Sequence, residues 1–403
     1  MRRSFIILLA ANALSVTGNV LSVLAVPWFV LETTGSAVLT GVASFTTTLP
    51  IVISAAFGGT LVDRVGHRAG SMLSDLVSGL IVLTIPVLFL TTGLSYPFLL
   101  VLLFLRWLAA TPGETARKAM LPDLAAAAGV GLERATAAYD GVHRGASMVG
   151  APLAGVLILW IGPSTLLLVD GVTFLLSALL VGVGIPRMKR HRRDSGGYAG
   201  DLRAGLAFLR RDRLQFSATG MIVVTNLLDA GVTQVLLALY ARDVAGDPRA
   251  FGLLAGVLGA GAMAGTIVYG AVGGRLPMRL TFGWCFLVAG VPRVLALALG
   301  APLPVALAVT AVSGFAAGAI NPILGILQYS RTPAPLRARV IGAMSAAAYV
   351  GMPMGGLLAG SLTEFTGLST TLFVFAGVFL LVSVPPFVCR AWRELDRPQP
   401  AET

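Results

Sequence analysis

Apolar positions run along the chain in long unbroken stretches, separated by short charged turns. Twelve stretches, near 4–31, 37–60, 71–92, 96–116, 134–160, 164–185, 218–241, 250–272, 280–300, 303–329, 338–361 and 368–390, approach or exceed the roughly 20 residues that a bilayer crossing requires. Backbone groups in lipid must bond within their own segment, so these stretches predict helices; the two-residue alternation of a membrane-spanning barrel is absent. The pattern therefore predicts an all-α polytopic membrane protein. The first stretch is too long for a cleavable signal, lacks a small-residue cleavage site and leads straight into further spans, so it is expected to remain as a span.

Composition agrees, with 56% hydrophobic and 12% charged residues and a mean hydropathy of +0.86. The net charge of +11 would suit nucleic acid if it formed one patch. Instead it follows topology. Basic residues, Arg117 and Lys118 among them, gather in the segments expected to face the cytoplasm, and on the other side only Arg242 and Arg249 occur. This predicts a multi-pass protein of the plasma (inner) membrane with both termini cytoplasmic, no nucleic-acid partner and the lipid bilayer as its surroundings. It is expected to be a monomer.

A charged hairpin between the second and third stretches, Gly58-Gly59-Thr60-Leu61-Val62-Asp63-Arg64-Val65-Gly66-His67-Arg68, returns 211 residues later. There Gly59, Arg64 and Arg68 find Gly270, Arg275 and Arg279, while Asp63 is replaced by Gly274. A second match sets Gly150, Pro152 and Gly155 against Gly351, Pro353 and Gly356, offset by 201. Two six-helix pseudo-repeats follow. The boundaries are 1–185 for the N-terminal bundle, 186–217 for a cytoplasmic linker, 218–391 for the C-terminal bundle and 392–403 for a cytoplasmic tail. Within the linker, Leu202, Leu206 and Leu209 share one helical face, which reads either as an amphipathic helix on the anionic inner leaflet or as a solvated connection.

The hairpin form G-x-x-x-D-R-x-G-x-R, twelve spans and a basic central loop resemble the major facilitator superfamily. Within it, Leu121-Pro122-Asp123 after span four is similar to a loop of the smaller bacterial drug and metabolite exporters, such as macrolide-efflux and enterobactin-exporter-like permeases. The resemblance implies a two-bundle transporter working by alternating access. It also implies a latch in which Asp63 pairs with Arg337 or Arg339, and Arg64 or Arg68 with Asp123; these arginines can equally be positive-inside span ends. The glycines and prolines of spans five and eleven resemble a flexible-helix motif, and they also suit close helix packing.

Ionisable residues within spans are costly and are functional candidates by default. Arg106 and Asp229 fall near the midplane with Asn19, Trp107 and Asn226, while Gln234 lies further out and Asn321 is on span ten. The family resemblance places spans one, four, seven and ten around a substrate cavity and ties an arginine in span four to proton transfer. Asp229 and Arg106 are the proton-coupling candidates, or else a buried structural pair. Asp170 and Arg293 lie off the midplane, as pathway residues or as links between helices. Asp75, near the inner interface, is expected to join the hairpin network. Glu114, Asp140, His143 and Arg144 read as a salt-bridged inner gate or a proton exit path.

Two cysteines without partner spacing and three scattered histidines offer no metal site, and no Gly-Lys-Ser or Gly-Lys-Thr phosphate loop points to ATP. No cofactor and no enzyme activity are expected. The sequence predicts a secondary transporter that exports a small amphipathic or drug-like compound in exchange for protons. The alternatives are a proton-coupled metabolite importer, or a membrane sensor or scaffold that transports nothing.

Overall fold

The computed structural model describes residues 2–186, 198–333 and 336–396. The basic run from Arg187 to Arg193 and the tail from Arg397 lie outside the described residues, as do the side chains of 55–61 and 63, so Gly59 and Asp63 are placed on their helix by backbone alone.

Every apolar stretch is helical. The elements are α1 (Arg2–Thr34), α2 (Ala37–Val65), α3 (His67–Thr91), α4 (Tyr96–Ala128), α5 (Leu132–Gly184), α6 (Tyr198–Arg211) and α7 (Arg213–Gly231). A π turn, Val232–Leu236, carries α7 into α8 (Leu237–Asp243). Then come α9 (Pro248–Val272), α10 (Met278–Ala298), α11 (Leu303–Arg331), α12 (Arg337–Val350), α13 (Met352–Thr366), α14 (Leu368–Val382) and α15 (Pro385–Val388).

Eleven of these runs are long and apolar enough to cross a membrane, and α5, at 53 residues, is too long for one crossing. It reverses at Gly162, whose φ of 78° and ψ of 160° leave the helical region. A Cβ resists such angles, so glycine ends the fifth span and the sixth begins at once. Gly367 turns α13 into α14 in the same way, with φ 82° and ψ 162°. Counting both legs of α5, the described residues hold twelve spans.

Two compact units form, one of residues 1–194 with 247–256 and one of 195–246 with 257–403. In the first, α1 and α3 pack on α5, α3 and α2 pack on α4, and Leu8, Ala11, Leu121, Leu124, Tyr139 and Val181 make a buried apolar cluster. In the second, α10 packs on α11 and α14, α7 on α13 and α12 on α6. Large apolar side chains point outward from both, among them Trp160, Val183 and Phe365, as a lipid-facing surface requires.

Helix α6 does not give its whole apolar face to lipid. Leu209 is buried against Val340, Ala343 and Met344 of α12, and a Cβ on Gly205 would overlap the Arg339 carbonyl, so only glycine permits this approach. Leu206 remains on the outside. Asp212 then caps α7, accepting from the amides of Leu214 at 3.0 Å and Gln215 at 3.1 Å.

Candidate coupling and substrate site

Polar residues recur along the first unit's helices at whole-turn spacings: Ser15 and Ser22 on α1, Ser71 and Ser78 on α3, and Asp170 and Ser177 on α5, each pair seven apart. Arg106 and Arg117 on α4 are eleven apart. Such spacings put each pair on one face of its helix. The four faces meet in a buried polar seam holding two ion pairs.

At one level Arg117 donates to Asp75 at 2.8 Å, and neither side chain is more than 1% exposed. Ser177 donates to the same carboxylate at 2.6 Å, Ser15 to its other oxygen at 3.4 Å, and Arg117 also reaches Ser15 at 2.8 Å. The sequence reading placed Arg117 in a cytoplasmic segment and Asp75 in the hairpin network. The first expectation is corrected, because α4 continues unbroken to Ala128 and carries Arg117 inside the bundle, where it meets Asp75.

At the other level Arg106 lies 3.3 Å from Asp170, again fully buried, with Ser22 donating to the same carboxylate oxygen. The guanidinium stands 4.1 Å from the Trp107 ring centroid and 5.1 Å from that of Phe174. Asp170 Oδ1, Arg106 Nε and Nη1, Asn19 Oδ1 and both polar side-chain atoms of Asn12 have no protein partner among the described residues. The suggested Arg106 and Asp229 pair is therefore not formed. Each takes a partner within its own unit.

In the second unit that partner is Arg293, which donates to Asp229 and, at 2.9 Å, to the Ala289 carbonyl. Arg293 is 9% exposed and Asp229 45%, so the carboxylate is the accessible member. Asn226, one turn before Asp229, donates to the Ala348 carbonyl at 3.0 Å. Gln234 lies in the π turn that follows, a departure from α-helix often found at functional sites. Asn321 is exposed on α11 and Trp107 half-buried beside Arg106. Gly314 and Gly318 on α11 admit the carbonyls of Leu258 and Ala262 on α9.

The hairpin residues divide. Gly66 separates α2 from α3, and Arg64 is exposed. Arg68 donates to the Gly182 carbonyl near the end of α5 and not to Asp123, which is exposed and makes no ion pair among the described residues. The implied Arg68 and Asp123 pairing is corrected accordingly: the nearer acceptor is a helix-end carbonyl, which a cation suits well. Its repeat counterpart Arg279 donates to the carbonyls of Pro386 at 2.7 Å and Phe387 at 3.1 Å. Arg337 donates to the Thr332 carbonyl at 3.1 Å, and Arg339 is exposed.

Of the inner cluster, Glu114 pairs with Lys118 one turn on, at 2.7 Å, with His143 within its electrostatic reach. Asp140, His143 and Arg144 are exposed on α5. The flexible-helix residues serve close approach: a Cβ on Gly150 would lie 3.1 Å from Val20, one on Gly155 3.0 Å from the Gly252 Cα, and one on Gly351 3.1 Å from the Val223 carbonyl. Pro152 is partly buried, and Pro353 and Gly356 are buried.

Twelve spans in two bundles, with ion pairs set inside each, make a multi-pass membrane protein. The family model of the Major Facilitator Superfamily matches residues 8–228 and 219–403, and the chain belongs to that family. It is 32% identical over 400 residues to the multidrug efflux pump Tap of Mycobacterium tuberculosis, covering 97% of this chain and 94% of that one. With the multidrug efflux pump Tap of Mycolicibacterium fortuitum it shares 31% over 402 residues, covering 98% of each. Among solved structures it resembles the nucleoside transporter NupG, with a TM-score of 0.77, 13% identity and coverage of 98% and 99%; this likeness concerns the fold alone.

Proposed function

We propose that the protein exports small amphipathic or drug-like compounds across the plasma membrane in exchange for protons, by alternating access and with both termini cytoplasmic. The near full-length similarity to multidrug efflux pumps carries this reading. Few charges and many small or apolar side chains line the spans, which suits an apolar or cationic substrate better than one needing many hydrogen bonds. Asp229 is the carboxylate that proton and substrate share, since it is half exposed and needs only to release Arg293 to change its charge. Arg106 is the second coupling residue.

The test is expression in an efflux-deficient bacterial host. Tolerance to toxic cations should rise with the wild type, vanish when the proton gradient is collapsed, and fail to rise with Asp229→Asn. Tolerance that survives collapse of the gradient overturns proton antiport, and unchanged tolerance in the mutant overturns the role of Asp229.

A further inference from the structure

We infer that Asp170, buried in the first unit, is a second proton-binding carboxylate of the transport cycle, with Arg106 as the charge it alternately pairs with and releases. The inference rests on the proton-antiport reading above and concerns a residue of the first unit, whereas Asp229 belongs to the second.

The two buried pairs of the polar seam are built differently. Asp75 is fully served: one oxygen accepts from Ser15, the other from Arg117 and Ser177. Both of its oxygens are thus engaged, and neither stands without a protein partner. In Asp170 every contact converges on Oδ2, which receives both Arg106 and Ser22, and Oδ1 is left without a protein partner. Oδ1 is the atom that can take a proton. It looks onto α1 where Gly18 has no side chain, and any Cβ there would collide with it.

Arg106 is equally prepared to lose its counter-ion. Its guanidinium keeps two ring faces, Trp107 and Phe174, and two of its nitrogens have no protein partner. Ring faces stabilise a cation that has been taken out of water, so the arginine remains charged when Asp170 becomes neutral. The step balances simply. A proton adds to Oδ1, the ion pair becomes a neutral acid beside a ring-held cation, and loss of the same proton restores the pair.

The charged and polar groups facing Asp170 are Arg106 from α4 and Ser22 from α1, with Thr173 turned back to the Asp170 carbonyl. Toward Asp75, Asn19, Ser15 and Asn12 on α1 and Ser177 on α5 continue the polar seam, and the unpartnered atoms of Asn19 and Asn12 suit bound water. A proton thus has polar company from Asp170 along the bundle interior.

The test uses the full chain in everted membrane vesicles with ethidium as the transported probe. Accumulation driven by an imposed pH gradient is compared with downhill equilibration in its absence. With Asp170→Asn, gradient-driven accumulation should fall about a hundredfold, the response to removing an essential proton acceptor, while downhill equilibration continues. Unchanged gradient-driven accumulation overturns the assignment, and so does equal loss of both in a variant that melts like the wild type. If Asp170→Asn does not fold, Asp170→Glu decides: a displaced pH profile of accumulation supports the assignment, and the wild-type profile overturns it. A wild type indifferent to the gradient removes the antiport reading itself, whereas indifference to Asp170 alone removes only this one.

Discussion

Gly231 of α7 and Gly355 of α13 stand backbone to backbone: a Cβ on Gly231 would lie 2.6 Å from the Gly355 carbonyl oxygen, and one on Gly355 3.0 Å from the Gly231 nitrogen. Asp229 is two residues away. Gly355→Ala is therefore expected to push α7 from α13, with an overpacking cost of about 1–3 kcal/mol. Gly220→Ala on the same helix, where nothing lies within 4 Å, should be neutral or stabilising. Thermal melting of the two variants in detergent checks the contrast.

Arg117 and Asp75 form a pair that is costly to break from one side. Arg117→Met leaves a buried carboxylate with only hydroxyl partners and should cost about 3–5 kcal/mol. Adding Asp75→Leu should recover part of that loss, because no buried charge then remains. A double-mutant cycle on melting temperature measures it, and a double variant less stable than Arg117→Met alone contradicts the prediction.

Leu209→Asp should undock α6 from α12, since it sets a charge against Val340 and Met344. Leu206→Asp, on the outer side of the same helix, should leave α6 in place. Limited proteolysis between the two bundles reads the difference: faster cleavage is expected in the first variant only.

The spans and their number were legible because each rests on a long contiguous signal, a run of apolar residues. Partners were harder. Arg106 and Asp229 were read as ionisable residues within spans, yet counting residues from span ends gives depth and not the rotation of a helix about its axis. Rotation decides which side chains meet, and it joined Arg106 to Asp170 and Asp229 to Arg293. A usable signal did exist in the seven-residue spacings of Ser15 and Ser22, Ser71 and Ser78, and Asp170 and Ser177, which mark the faces that turn inward. Arg117 was misplaced because Glu114, Arg117 and Lys118 resemble a loop, although α4 simply continues through them.

The turn at Gly162 bears on how the protein is made. Between Met148 and Asp170 only Ser164 and Thr165 carry polar side chains, so the nascent chain offers no hydrophilic segment to be translocated between the two legs of α5. Neither leg has a tether long enough to wait for the other. So short a hairpin suits entry of both legs as one unit folded back on a single glycine; Gly367 makes the same turn in the second bundle, there with Glu364 beside it.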